Sequence, residues 1–166
     1  KSYIEDYIDN IKFRISPLSF YQVNSIQAEK MYKKVIEIAN INKDDVVLDA
    51  YCGIGTISLC ISKYAKKVYG IEIVEQAIKD AQENAKINNI ENTDFIVGKS
   101  EEVIKEFVRN KDKIDIVVVD PPRKGCDIVM LNNILELKPK KIIYVSCDPA
   151  TLSRDLKILC EDDNYK

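Results

Sequence analysis

Apolar positions along this chain follow two rhythms, and the change between them marks the elements. Lys1 to Ser16 alternate apolar and polar residues about Asp9-Asn10, which predicts a short hairpin. Ala28, Met31, Tyr32, Val35 and Ala39 then recur at helical spacing, predicting an amphipathic helix capped by Asn24, with Gln27 as capping-box partner, and ending around Asn40. From Val46 the pattern becomes strand, loop, helix, repeated. Strands are predicted over Val46 to Ala50, Lys67 to Ile71, Thr93 to Val97, Ile114 to Val119 and Lys141 to Ser146. Helices are predicted after Gly55 to about Lys63, along the stripe Val74, Ala77, Ile78, Ala81 and Ala85, and over Glu101 to Val108, Ile128 to Leu137 and Leu152 to Cys160. Repeated βα units predict an α/β protein with a doubly wound, parallel sheet. The organisation read from this is a hairpin and lead-in over residues 1–24 and one α/β domain over residues 25–166.

Composition narrows the classes. At 166 residues, 46% hydrophobic and 31% charged, the chain reads as one soluble domain with a sizeable core. No apolar run approaches the ~18 residues a membrane span needs. Five cysteines without a CxxC pair favour reduced thiols and a cytoplasmic location over a disulfide framework, and no metal site is expected. There is no histidine, so proton transfer falls to carboxylates, lysine, tyrosine, cysteine or water. The net charge of −2 exerts no global pull on phosphate. Nucleic-acid binding would rest on local clusters such as Lys66-Lys67, Arg123-Lys124 and Lys138 to Lys141, or on another domain. The chain starts at Lys1 without methionine and stops at Lys166, which reads as a piece of a longer protein.

Candidate chemistry gathers where strands end, since ligands of open α/β sheets bind beyond the carboxyl ends of the strands. After the first core strand, Asp49-Ala-Tyr51-Cys-Gly53-Ile-Gly55-Thr56 gives a turn whose glycines allow close ligand approach. Glu72 closes the next strand about 20 residues on, where an acid can bind a ribose diol. Ser58 replaces the third glycine of a dinucleotide fingerprint, so Asp49, Gly53, Gly55 and Glu72 suit S-adenosyl-L-methionine better than NAD. Asp120-Pro121-Pro122 ends the fourth strand in a rigid loop without backbone donors. Many amino-group methyltransferases place an aromatic next, to stack on a base. Here Arg123 offers a planar, charged donor for a pyrimidine carbonyl or a phosphate. Cys147 follows the fifth strand and precedes Asp148-Pro149 at the start of a helix. A thiolate there could add to C6 of a pyrimidine and make C5 nucleophilic, its anion favoured by the helix and by Arg123 or Arg154. Cys126 is the rival nucleophile, and Cys52 and Cys60 read as buried fillers.

Together these motifs resemble the RNA uracil-5-methyltransferases, Rossmann-like S-adenosylmethionine enzymes that form 5-methyluridine in tRNA and ribosomal RNA. The resemblance rests on Phe20-Tyr-Gln-Val-Asn24, Asp49-Ala-Tyr-Cys-Gly-Ile-Gly55, Gly70-Ile-Glu72, Asp120-Pro-Pro-Arg-Lys-Gly125 and Ser146-Cys-Asp-Pro-Ala-Thr-Leu-Ser-Arg-Asp155. It implies donor contacts from Gln22, Tyr51, Thr56, Glu72 and Asp120, and a covalent role for Cys147 beside Asp120 and Arg123. Thr56 stands where many relatives have asparagine, and Lys99 where an acid often meets the adenine. Family members also carry an RNA-binding domain of β type, sometimes with an iron–sulfur cluster. They continue past the last helix into further strands and a segment whose glutamate removes the C5 proton. The resemblance therefore implies a catalytic fragment lacking its last strands and its general base, with impaired turnover and a fifth strand exposed to self-association. Two other readings stay open: RNA cytosine-5 methylation with Cys126 as an auxiliary thiol, and a non-catalytic donor-binding module.

Overall fold

In the computed structural model, residues 3–17, 25–161 and 164–166 are described. The Phe20 to Asn24 motif, with the donor contact expected of Gln22 and the cap expected of Asn24, lies outside the described residues. The chain opens with β1 (Ile4–Ile8) and β2 (Ile11–Ile15), paired antiparallel with Ile8 opposite Ile11. Asp9 and Asn10 turn the hairpin with φ of 48° and 65°, both left-handed. Such a two-residue turn matches the right-handed twist of the strands. Ile8, Ile11, Phe13 and Ile15 are buried, so the alternation read from sequence is the alternation of faces.

Helix α1 (Ser25–Ala39) buries Ala28, Tyr32, Val35 and Ala39, and Asn40 stops it at a left-handed φ of 45°. The remaining elements alternate: β3 (Val46–Asp49), α2 (Thr56–Ser62), β4 (Lys67–Glu72), α3 (Glu75–Ile87), β5 (Thr93–Val97), α4 (Ser100–Asn110), β6 (Ile116–Val119), α5 (Ile128–Leu137), β7 (Lys141–Tyr144) and α6 (Pro149–Leu159). The five strands β3 to β7 form a parallel sheet in the order β5-β4-β3-β6-β7. Helices α1, α2 and α3 pack on one face and α4, α5 and α6 on the other. This is the doubly wound α/β architecture expected from the sequence. Val47, Ile116 and Val118 serve the first core while Leu48, Val117 and Val119 serve the second. Strands buried on both faces must be apolar throughout, which is why β3 and β6 read as continuous runs. Among the described residues β7 has no strand on its outer side, and no helix is long and apolar enough to cross a membrane.

Several boundaries shift by a few residues, β6 starting at Ile116 rather than Ile114 and α4 running Ser100–Asn110, and two of the shifts have clear reasons. β7 ends at Tyr144 rather than Ser146, because its partner β6 stops at Val119 before the prolines; Val145 N–H still reaches the Val119 carbonyl at 2.8 Å. Helix α6 starts at Pro149 rather than Leu152. Asp148 caps it, accepting from the Ala150 and Thr151 amides at 2.9 Å each, with proline in the first turn.

The hairpin is fastened to α3 by polar side chains rather than by apolar packing alone. Asn88 accepts from Lys12 N–H at 2.9 Å and donates to its carbonyl at 2.7 Å. Asn84, one turn back, accepts from Arg14 N–H at 2.7 Å and donates to its carbonyl at 3.2 Å. Asp80, a further turn back, accepts from Ser16 N–H at 3.2 Å. The three side chains share one helix face and read alternate residues along β2 and just past its end, so a helix supplies the hydrogen bonds that another strand would. Asn84 is fully buried. Asn84→Ala should therefore cost about 1–3 kcal/mol in urea unfolding. Gln82→Ala, on the exposed side of the same helix, should stay within about 0.5 kcal/mol.

Candidate active site

Strand order reverses between β3 and β6, so the carboxyl ends of β3, β4 and β6 meet at the switch point, the cleft where open sheets of this kind bind ligands. Asp49 ends β3 and is fully buried. Its Oδ2 accepts from Ser58 Oγ at 2.6 Å, while its Oδ1 has no partner. Burial pushes this carboxyl up to about 7; the Ser58 hydroxyl works against the shift and the neighbouring Asp120 adds to it. Asp120, half-buried at the end of β6, is pushed up to about 6 by burial. Its carboxylate makes no hydrogen bond or ion pair among the described residues.

The glycine loop lies between them. Glu72 at the end of β4 accepts from Gly53 N–H at 3.2 Å and from Val74 N–H at 2.9 Å, tying this loop to the turn before α3. The two loop glycines serve different ends. Gly55 has φ +83°, and a Cβ there would meet the Phe95 ring at 3.0 Å and Ala81 at 3.2 Å. Gly53 has φ +53°, and nothing lies within 4 Å of where its Cβ would be. Gly55 is thus required by the protein's own packing, whereas Gly53 faces open space. Tyr32 of α1 walls the cleft, its hydroxyl donating to Thr56 Oγ1 at 3.2 Å. Burial raises its pKa to about 12, opposed by the Thr56 hydrogen bond and helped by Asp120 and Asp49.

The other half of the rim carries the groups expected to meet an acceptor. Cys147 is exposed, immediately before the Asp148 cap of α6. The Asp148 carboxyl is held below its usual range, first by Thr151 N–H, against some burial, and then by Ala150 N–H, the Thr151 hydroxyl and the charge of Arg123. Arg123 is exposed, and its carbonyl accepts from Thr151 Oγ1 at 3.1 Å. Asp49, Gly53, Gly55, Thr56 and Glu72 lie on the β3–β4 side of the switch point, and Asp120, Arg123 and Cys147 on the β6–β7 side.

The profile of the tRNA (uracil-5-)-methyltransferase family matches residues 3–164, nearly the whole chain. The chain belongs to this family. A protein described as an uncharacterized RNA methyltransferase from Clostridium tetani is 57% identical over 166 residues, 100% of this chain and 36% of that protein. One of the same description from Clostridium acetobutylicum is 58% identical over 161 residues, 97% of this chain and 35% of that protein. Among solved structures, Pyrococcus abyssi tRNA (uracil-54, C5)-methyltransferase in complex with S-adenosyl-L-homocysteine superposes with a TM-score of 0.82 at 34% identity, covering 96% of this chain and 38% of that one. The chain thus spans a little over a third of the length of these relatives.

Some candidates sit otherwise than expected. Tyr51 packs against the core formed with α4, α5 and α6, and its hydroxyl faces the Cys126 thiol; burial raises its pKa. Cys126, the rival nucleophile, is buried, with the Tyr51 and Tyr144 hydroxyls about its sulfur, and burial pushes its thiol up. Arg154, one of two cations expected beside Cys147, instead pairs with Asp155 and donates to the Lys124 and Cys126 carbonyls. Cys52 and Cys60 are buried fillers, as expected, with thiols pushed well up by burial. The sequence does not place Tyr32 and Phe95 beside the glycine loop, where the structure puts them. Helical periodicity marks Tyr32 only as core, and nothing local signals that Phe95 wedges beneath a loop so far away in the chain.

Asp49 and Asp120 keep protons in the folded chain at pH values where the unfolded chain has released them. What these groups contribute to stability is full below about pH 4 and is lost as pH rises through about 6 to 7. Asp49→Asn carries no charge at any pH. Its stability relative to the parent, measured by thermal melts in matched buffers, should rise between pH 5 and 8. An unchanged difference across that range would remove burial as the cause.

Proposed function

We propose that this chain is the catalytic portion of an RNA uracil-5-methyltransferase that uses S-adenosyl-L-methionine. The observation that carries the reading is the exposure of Cys147, alone among the five cysteines, on the rim it shares with Arg123 and the carboxylate cleft. The cleft fits the donor on its own terms. Asp49 has an orphaned buried oxygen, Asp120 lacks a partner, and the space at Gly53 is open. A ligand carrying an ammonium and a sulfonium would supply the missing positive charge, and Glu72 is set to take a ribose diol.

Uracil C5 needs activation before it can take a methyl group. In our reading a uridine leaves its stack to reach the rim. The Cys147 sulfur bonds to C6, and the C5–C6 π pair moves to C5 as an enolate whose charge spreads to O4. Arg123 is the planar donor available to a uracil carbonyl as that charge develops. The donor supplies an electrophilic methyl carbon, whose bonding pair stays on sulfur as the methyl passes to C5. Loss of the C5 proton to a base then restores the C5–C6 double bond and expels the Cys147 thiolate. Asp120 serves by holding the donor's positive end beside the acceptor. The burial of Cys126 gives no support to the cytosine-5 alternative, which needs a second reachable thiol.

With RNA containing 5-fluorouridine the proton is replaced by fluorine, so the adduct should persist through denaturing electrophoresis in the presence of S-adenosylmethionine. Cys147→Ala should abolish it and Cys126→Ala should retain it; an adduct surviving Cys147→Ala would overturn the assignment. Donor binding has its own test. Calorimetry with S-adenosylhomocysteine should show affinity rising from pH 5 to 8 with proton release, and Asp120→Asn should weaken binding about tenfold, or about 1.4 kcal/mol.

A further inference from the structure

We propose that Arg154 and Asp155 are positioning residues for the acceptor half of this site, clamping the turn after Asp120-Pro121-Pro122 onto α6 so that Arg123 is held beside Cys147. The inference rests on the reading above and assigns roles to two residues that touch neither donor nor base. Asp155 is fully buried although it is a carboxylate, and every donor it uses lies at this junction. Its Oδ2 accepts from Cys126 N–H at 2.7 Å and from the Tyr144 hydroxyl at 2.6 Å. Its Oδ1 takes Arg154 Nε at 2.8 Å and Nη2 at 2.6 Å. Burial alone would raise this carboxyl, but the three partners together hold it below the usual range.

Arg154 completes the grip from the other polarity. Its Nη2 also donates to the Lys124 carbonyl at 3.0 Å and the Cys126 carbonyl at 3.2 Å. The turn therefore meets a carboxylate at its free N–H and a guanidinium at its free carbonyls. Gly125 lets the two sides close: it has φ +76°, and a Cβ there would lie 2.6 Å from both Arg154 Nη2 and Asp155 Oδ2. Thr151 Oγ1 adds a bond to the Arg123 carbonyl. These contacts fix the backbone on both sides of Lys124 to the first two turns of the helix that begins just after Cys147. The Arg123 side chain itself is exposed and, among the described residues, tied only through Asp148's charge, so its placement depends on how firmly its backbone is held.

The test compares three variants in the 5-fluorouridine trapping assay at saturating donor. Arg154→Gln should slow adduct formation about 30-fold while affinity for S-adenosylhomocysteine stays within twofold. Arg154→Lys keeps the charge beside Asp155 but not the paired Nε and Nη2 that engage Asp155 and the two carbonyls together, and should recover only part of the rate; it also serves if Arg154→Gln folds poorly. Asn88→Ala, in the remote hairpin dock, supplies a matched loss of melting temperature and should keep its rate within twofold. Added methylguanidinium should restore part of the Arg154→Gln rate, and should do nothing for Asn88→Ala. Wild-type rates in both Arg154 variants, or losses no greater than that of Asn88→Ala, would overturn the positioning role alone. A parent protein that binds S-adenosylhomocysteine and never forms the adduct would overturn the functional reading, and this inference with it.

Discussion

The pairing of β3 with β6 is the contact on which the rest of the molecule depends. Val47, Leu48 and Asp49 lie beside Ile116, Val117 and Val118, two strands far apart in the chain made neighbours at the centre of the sheet. To one side the chain runs outward through β4 and β5; to the other it runs outward through β7. Right-handed crossovers in opposite directions place their helices on opposite faces, so no connection covers the carboxyl ends of the central pair. The loops leaving Asp49 and Val119 part there, and the cleft is the space between them. Asp49 and Asp120 face each other's charge because their strands are paired, not because any local motif joins them.

Burial treats three aspartates at this end of the sheet differently, and the difference separates architecture from function. Removing a carboxylate from water costs several kcal/mol, and each hydrogen bond to a charged group returns about 1.5–3 kcal/mol. Asp155 has a backbone amide, a tyrosine hydroxyl and an arginine, and remains ionised as a fixed part of the frame. Asp49 has one serine hydroxyl and an orphaned oxygen, and is raised to about 7. Asp120 has no compensating partner among the described residues beyond partial access to water, and is raised to about 6. A satisfied buried charge rigidifies; an unsatisfied one stores an affinity for a cation. The cleft is built from the second kind and braced by the first.

Much of the fold was legible because periodicity reports burial directly. Thr93–Val97 and Ile128–Leu137 fall where the pattern puts them, and the Asp9-Asn10 turn follows from residues that tolerate positive φ. What the pattern hides is polar work done inside elements. Asn84 and Asn88 look like the wet side of α3, yet they complete the edge of β2, a partner distant in sequence. Asp155 and Arg154 look like surface charges on α6, yet one is fully buried and the other spends its donors on a loop. Cys126 and Cys147 are both thiols beyond a strand end, and only the three-dimensional neighbourhood shows one enclosed by tyrosines and the other open. Spacing identifies where chemistry gathers. It does not say which of two like groups is reachable.

The start of α6 shows why the division of labour on the acceptor rim takes the form it does. A helix N-terminus offers an anion its unpaired amides, but here Asp148 has already taken those of Ala150 and Thr151. Its carboxylate also sets a negative charge one residue from Cys147. The helix therefore has fewer free amides near Cys147 than the sequence suggests. Arg154 is committed to Asp155 and to two carbonyls of the turn. Arg123, whose charge already acts on Asp148, is a cation at that edge of the rim. On the proposed chemistry, holding the turn that carries Arg123 would serve the thiol electrostatically as well as geometrically, and the buried pair on α6 would do so without entering the site.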